Sequence, residues 1–514
     1  MRKAIPPSAR RNGSGNFVTL PAPVKGLNFR DSIAALKPTD ALILDNYFPE
    51  ASACRLRRGF HAHVTGFAAA VETLIEYASP TARKLFAASG TAIYDATTAG
   101  PVGAAVVSTL ANARWKALMF TTSAGDYLVA VNGADGVRTY DGAAWATQAI
   151  TGATAANLAD VAVWKSRLWF TENGSNKAWY LPSGAIAGAA VAFDLGPVFK
   201  LGGAIAFITP LSFSSGATVD DGICFVSTEG EVALYLGTDP ASAATFALHG
   251  VYRIPAPLLG RRGYVRFNGD CLVMTEAGLV SMLTSAQLDS TQQQNSSVSE
   301  RVDPELARQA TVGAQEFGWQ VFSYPAGTAL MVNAPQGSGM FNQWTMNAIT
   351  TAWCRYKNQN AYCWALLDGA PFFGGATAVY AADVGAQDDG AEILGAIKGA
   401  FSTLGRGALK RVTMLRPFLT TNSALTPSIG LDVDFSDNAP TDVGASPVIT
   451  AALWDVALWD AAVWGGESMV SREWSSASGI GTWFAPRLST ATRGVEASLN
   501  AFDLVYEPAS SRAL

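Results

Sequence analysis

From Thr73 to about residue 400 the chain breaks into short apolar runs, mostly five to seven residues long, each ended by a turn signal. The clearest are Thr73–Ala78, Lys84–Ser89, Trp115–Thr121, Asp126–Asn132, Val161–Thr171, Ile223–Ser227, Val232–Leu236, Tyr264–Asn268 and Cys271–Thr275. They favour β-branched and aromatic residues, and many alternate apolar with polar, as strands with one buried face do. Ser-Pro, Asn-Gly, Asp-Gly, Glu-Gly and Ala-Gly pairs stand between them. Asn268-Gly269-Asp270, set between two runs, is a hairpin signal, because a tight turn needs residues that accept positive φ. The region reads as all-β and built of hairpins.

Several hairpins end in a similar phrase, a small residue and an apolar one before tyrosine, with Arg138-Thr139 before Tyr140 as the looser case. It occurs at Tyr94, Tyr140, Tyr180, Tyr235 and Tyr380, with spacings of 46, 40, 55 and 145 residues. The last gap is about three of the shorter ones. A period of about 40–50 residues with four short strands is that of a β-propeller blade, a small twisted sheet that stacks on its neighbours to bury both faces. The expected fold is all-β, with a β-propeller-like body of six or seven irregular blades over 65–400. A series of β-sandwiches is the structural alternative. A loop and helical insertion is expected near 285–312, where Pro304-Glu305-Leu306-Ala307-Arg308 reads as a short helix with proline in its first turn.

The flanking segments differ. Residues 1–64 read as a basic N-terminal arm and docking segment. A short helix is expected from Pro38 to Leu44, with Thr39 or Asp40 as its N-cap. Residues 401–514 read as a C-terminal β-rich domain. Val412–Leu419 and Ile429–Phe435 are its longer strand candidates, and Ala501–Tyr506 a strand that closes a sheet. The N- and C-terminal segments together are expected to form one β-rich domain. Trp454, Trp459 and Trp464 recur every five residues, which suits neither a helix face nor a strand face, and read as filling a packed seam.

Charge is sparse and uneven. Charged residues are 15% of the chain against about 25% in an ordinary soluble domain, while hydrophobic residues are 49%. So many aromatics with so little charge excludes intrinsic disorder. The longest uncharged stretch, from Phe317 to Cys354, is interrupted by Pro325, Asn333, Pro335, Gln336 and Gln343 and does not read as a membrane span. The opening residues lack the apolar core of a signal peptide. Residues 1–60 carry ten Lys/Arg and four Asp/Glu, and the remaining 454 carry 26 and 37, so a basic head precedes an acidic body. The head is either a solvated arm or one that docks on an acidic partner surface, with Arg55, Arg57 and Arg58 as candidate docking residues.

Reactive chemistry is hard to find. Cys54, Cys224, Cys271, Cys354 and Cys363 are odd in number and lack zinc-site spacing, and they read as reduced core residues. The three histidines are His61, His63 and His249. His61 and His63 have no third ligand nearby and read as turn residues rather than a metal site. Asp220-Asp221-Gly222 and Asp388-Asp389-Gly390 read as turns, whereas Asp432 and Asp434 are expected to share one strand face. No catalytic residue, metal ligand or cofactor is assigned, and the chain reads as no enzyme.

Two stretches carry a resemblance. GLNFRDSIAALKPTDALILDNYFPEASACRLRRGF, residues 26–60, holds the pattern G-x-N-x-R-D, L-x-P-x-D-A, L-x-N-x-F-P, R-x-G. QWTMNAITTAWCRYKNQNAYCWALLDGAPFFGGATAVYAADVGAQDDG, residues 343–390, is the second. Its carriers are Met346, Asn347, Thr350, Trp353, Cys354, Arg355, Asn360, Cys363, Trp364, Phe373, Gly374, Val379, Tyr380, Asp383 and Gly385. Both resemble the podovirus tail nozzle family, also called tail tubular protein B or packaged-DNA stabilisation protein.

That resemblance implies a structural protein of the virion tail, made in the bacterial host cytoplasm. It implies a homohexameric ring below the portal and adaptor proteins, met by a tail fibre or tail-tip protein, with β-propellers on its outside. Residues 401–514 would belong to the nozzle ring. Double-stranded DNA would pass through the lumen without sequence-specific binding, and the subunit would help retain and eject the genome. The lumen residues are unassigned. An acidic body suits a conduit, since a strongly basic lumen would hold phosphate by counterion release. Few charges suit a subunit that hides its sides in a ring. A propeller-type adhesin that binds host-surface glycan is the alternative from another class, and a propeller hydrolase the third.

Overall fold

The computed structural model describes residues 15–214, 219–258, 261–287, 297–313, 316–438, 469–471 and 473–509. The chain divides into two compact units, Arg58–Gly390 and a second made of Met1–Arg57 with Ala391–Leu514. These boundaries differ from the expected 1–64, 65–400 and 401–514 for a reason of pairing. Phe60–Thr65 is a strand of the central unit, and Ile393–Gly399 pairs with strands of the terminal one.

The central unit holds seven small antiparallel sheets in chain order. The first is Val71–Ala78, Arg83–Ser89, Ala92–Asp95 and Ala105–Val107. The second is Lys116–Thr122, Gly125–Val131, Arg138–Tyr140 and Trp145–Thr147. Leu158–Trp164, Arg167–Glu172, Lys177–Tyr180 and Val191–Asp194 make the third. The fourth is Ile205–Ser214, Val219–Ser227, Glu231–Gly237 and Phe246–Arg253. Tyr264–Phe267, Asp270–Thr275 and Gly278–Ser281 make a three-stranded fifth. The sixth is Gln320–Tyr324, Ala329–Gly337, Met340–Asn347 and Trp353–Tyr356. The seventh is Cys363–Leu367, Ala370–Gly374 and Ala378–Ala382, and its fourth strand is Phe60–Thr65, from the other end of the unit.

Apolar seams join these sheets in a cycle. Ile75 and Phe86 of the first pack with Trp115 and Tyr140 at the second. Similar clusters join second to third, third to fourth, fourth to fifth and sixth to seventh. Val64 and Val379 of the seventh meet Leu74 and Leu85 of the first. The helix Asp303–Gly313 packs against both the fifth and the sixth. Seven sheets stacked in a closed cycle, the last completed by a strand from the start of the unit, are a β-propeller. Each large side chain buried in a seam contributes about 2 kcal/mol.

The repeated tyrosine has a structural meaning. Tyr94, Tyr140, Tyr180, Tyr235 and Tyr380 all lie on the third strand of their sheets. Tyr140 meets the rings of Tyr77 and Phe86 in the preceding blade at 5.0 and 4.8 Å, and Tyr235 meets Phe193 at 5.1 Å. The long last gap spans blades five and six, whose third strands lack the phrase.

The expected strands are present, with one division. Val161–Thr171 is two strands, because Lys165 and Ser166 take φ of 48° and 55° and make a tight turn. Asn268 and Gly269, at 50° and 84°, turn the expected hairpin. The expected helix of the insertion is Asp303–Gly313, with Asp303 and Glu305 in its first turn, where the helix dipole favours anions.

Other expectations are corrected. Ala41–Asp45 is a strand rather than a helix, paired with Ile393–Gly399. Asp40 accepts hydrogen bonds from the Lys37 N–H at 3.1 Å and Asn28 Nδ2 at 3.4 Å, which caps a turn, and long-range pairing outweighs local helix propensity. Asp220 and Asp221 lie within Val219–Ser227 and are strand residues. Asp388-Asp389-Gly390 is the expected turn, with φ of 47° and 87° at Asp389 and Gly390.

The terminal unit has two groups of antiparallel strands. Ala497–Pro508 pairs with Asn16–Pro21, Cys54–Leu56 and Lys410–Thr421. Met469–Ser471 and Ser475–Gly481 pair with Lys410–Thr421. In the second group Ala41–Asp45, Ile393–Gly399, Phe484–Thr492 and Ser428–Val433 pair in that order. Both chain ends therefore build one β-rich unit, and Ala497–Pro508 is its closing strand. Trp454, Trp459 and Trp464 lie outside the described residues, as do residues 1–14 of the basic arm.

Candidate functional site at the propeller axis

The first strands of the blades line the propeller axis, and each approaches the blades on either side. Here the blades bring together a polar group that no local segment contains. Arg114 and Lys116 flank Trp115 at the start of blade two. Arg261 and Arg262 precede blade five, Glu72 opens blade one, and Asp160 lies on blade three.

Arg262 reaches across the axis. Its guanidinium donates to the Glu72 carbonyl at 2.9 Å and to the Tyr362 carbonyl at 3.3 Å, while its own carbonyl accepts from the Val321 N–H at 2.9 Å. One residue thus ties blades one, six and seven to the entry of blade five. Arg261 Nη1 donates to the Asn132 carbonyl of blade two. Lys116 Nζ donates to the Arg261 carbonyl at 3.1 Å and lies 4.1 Å from the centre of the Tyr264 ring. Tyr264 in turn donates to Asp160 at 3.1 Å, and Asp160 accepts the Ile208 N–H at 3.1 Å. Phe317 is flanked by two guanidiniums, Arg114 at 4.4 Å and Arg262 at 4.7 Å. Arg114 also pairs with Glu72 at 3.1 Å.

Burial dominates the electrostatics. Desolvation lowers the pKa of Lys116, Arg261 and Arg262, and raises that of Asp160 against the pull of Lys116. Desolvation also raises Glu76, partly offset by Arg83.

Beside this group is a cavity of 330 Å³. Thr73, Glu76, Lys116, Arg262 and Gln320 are polar in its lining; Leu74, Ile75, Phe322, Trp364 and Leu366 are apolar walls. Trp115 also lines it, is 2% exposed, and its indole N–H has no acceptor among the described residues. The arrangement can hold a small molecule.

The docking arginines do not share a surface. Arg57 is 4% exposed and its Nε donates to Asn46 Oδ1 at 2.9 Å, so its side chain is an internal strut rather than a docking residue. Arg55 pairs with Glu50 at 2.8 Å with both side chains about two-fifths exposed. Arg58 donates to the Asp383 carbonyl at 3.5 Å.

His61 and His63 are on the strand Phe60–Thr65, not in a turn, and a register shift there takes His63 out of step with His61. His63 packs on Phe372, with Nε2 3.2 Å from the Ala96 carbonyl. Among the described residues no three His, Cys, Asp or Glu side chains cluster as metal ligands. All five cysteines are buried and unbridged, and burial pushes the Cys271 and Cys363 thiols up to about 12 and about 11. No described helix is long and apolar enough to cross a membrane. Asp432 and Asp434 do not share a strand face: Asp432 is buried, whereas Asp434 follows the strand at φ 47° and accepts the Thr482 and Trp483 N–H groups.

The motif residues have packing and turn roles. Asn28 is 1% exposed and accepts the Arg30 and Asp31 N–H groups. Asn347 accepts those of Ile349 and Thr350. Trp364 Nε1 donates to Asn333 Oδ1 at 3.2 Å, and Phe373 stacks on Tyr380 at 4.9 Å. A Cβ at Gly374 would meet the Val71 carbonyl at 2.5 Å.

No family model and no curated protein matches the chain. Among solved structures, it is similar to BBS1N, crystallised in complex with ARL6DN. Identity is 11%, covering 63% of this chain and 97% of that one, with a TM-score of 0.40. The computationally designed Ika8 protein is similar at 9% identity, over 63% and 99%, with a TM-score of 0.36.

Proposed function

We propose that this chain is a ring-forming structural subunit of a short-tailed phage tail nozzle, which extends the DNA channel below portal and adaptor and helps retain and release the genome. The observation that carries the reading is the placement of the two motif stretches. The first supplies turns and strands of the terminal unit and ends on Phe60, where the strand that completes the propeller begins. The second supplies the last part of blade six and three of the four strands of blade seven. A propeller inserted between two halves of a separate β unit agrees with what the resemblance implies, a ring body bearing outward propellers.

Two further features support it. Phe17, Leu394, Met414, Phe435, Val470 and Ile480 of the terminal unit are large apolar side chains at least 37% exposed in the single chain, as expected of surfaces that neighbours cover. The axial cavity of the propeller, 330 Å³, has room for a small molecule and none for a duplex, which suits a reading in which the DNA channel is the lumen of the ring. Mass photometry and negative-stain imaging of the purified full chain test this. Six-fold rings with a central opening are expected, and monomers alone at micromolar concentration would overturn it.

A further inference from the structure

We propose that the axial cavity of the propeller binds a small organic carboxylate with an apolar body. Its volume, 330 Å³, lies within the range of small-molecule sites, about 300–1,000 Å³. Its chemistry is divided. Lys116 and Arg262 stand where the first strands begin, and Leu74, Ile75, Phe322 and Leu366 line it further along those strands.

Charge is unbalanced at the cationic end. Arg114, Lys116, Arg261 and Arg262 converge there against Glu72 and Asp160, and Glu72 is already paired with Arg114. Arg262 spends two donors on carbonyls and a third on the Cys363 sulfur, and a guanidinium carries five. An oxyanion is the partner that two buried cations at one end of a cavity favour. The one carboxyl lining the cavity, Glu76, lies at the other end, four residues or about 13 Å along the strand from Glu72. It leans on the Asp368 backbone N–H there. The apolar walls decide between anions: they repay burial of a carbon body, whereas a bare dianion would lose its hydration against them.

Saturation-transfer NMR and calorimetry on the full chain test this, with hexanoate, hexan-1-ol, hexylamine and inorganic phosphate as probes. Hexanoate should show transfer to its methylenes and bind at least about tenfold more tightly than each of the other three. Arg262→Gln should weaken hexanoate about tenfold. If Arg262→Gln does not fold, the ranking on the unmodified chain decides alone. Hexanol equal to hexanoate would overturn the charge argument, and phosphate equal to hexanoate the apolar one. Absence of hexanoate binding at millimolar concentration would overturn the proposal whole.

Discussion

Gly59 lies against Gln387 so closely that a Cβ added to Gly59 would fall 1.8 Å from the Gln387 carbonyl oxygen. The contact is where the propeller closes. Gly59 N–H donates to the Gly385 carbonyl and Phe60 N–H to that of Gln387, both at 3.0 Å, while Asp389 N–H donates back to Phe60. Two segments more than 300 residues apart in sequence meet here, and the atoms an added Cβ would strike are all Gln387 backbone, so no side chain can yield. Gly59→Ala should cost about 3 kcal/mol, at the upper end of overpacking. Gly103→Ala, where nothing lies within 4 Å of an added Cβ, is the neutral control. Calorimetry of both variants checks it, and equal melting temperatures would refute it.

Glu76 gives the propeller a pH-dependent term. Its carboxyl is half-buried, and desolvation raises its pKa above the ordinary 4.5. A folded pKa above the unfolded one means that the folded state holds its proton to higher pH. The penalty is absent below about 4.5 and grows as pH rises through the folded pKa. Glu76→Gln has no such penalty. The melting temperature of the variant should therefore gain on the parent from pH 4.5 upward and then level off. A difference that is flat or shrinks over that interval would contradict the burial argument.

In the terminal unit Asp432 is the counter-ion of two buried cations. Its carboxylate is fully buried, 2.6 Å from Lys398 Nζ and 3.2 Å from Arg487 Nη1, whose side chains are 6% and 8% exposed. Asp437 meets the same cations from the surface, 75% exposed. Asp432→Ala should destabilise the unit by about 3–5 kcal/mol, because it strands buried charge. Asp437→Asn should cost no more than about 1 kcal/mol. Chemical denaturation of both variants orders them, and a reversed order would show that the surface carboxylate carries the pair.

Much of this architecture was legible in short-range pattern. Hairpin turns such as Asn268-Gly269 depend on two residues, and the tyrosine phrase repeats because the third strand of a blade meets the same kind of seam each time. What failed to show was whatever depends on closure. Nothing near Phe60 announces that its partner lies at Ala382. Ala41–Asp45 reads as helical until Ile393–Gly399 is placed beside it. The axial group is the same case: Glu72, Arg114, Lys116, Asp160, Arg261 and Arg262 come from four blades and meet only when the ring shuts. One signal was available: of the three adjacent arginine pairs, Arg10-Arg11, Arg57-Arg58 and Arg261-Arg262, the last is the one that falls between the apolar runs of the propeller, just before a strand.

Arg55 and Arg57, two residues apart, should part company when mutated. As a basic cluster they were expected to act alike on an acidic partner. Their surroundings differ: Arg57 is buried and bonded to Asn46 through both its backbone N–H and its Nε, whereas the Arg55–Glu50 pair is half in solvent. A buried charge-assisted hydrogen bond is worth about 1.5–3 kcal/mol, and an exposed ion pair about 0–1 kcal/mol. Arg57→Ala should therefore lower stability, with any loss of assembly following from that. Arg55→Ala should leave the melting temperature within error, so a loss of ring formation in it would mark a true docking contact. Melting temperature and mass photometry on the two variants separate these roles. An Arg57→Ala chain as stable as the parent would return that residue to the surface cluster in which the sequence first placed it.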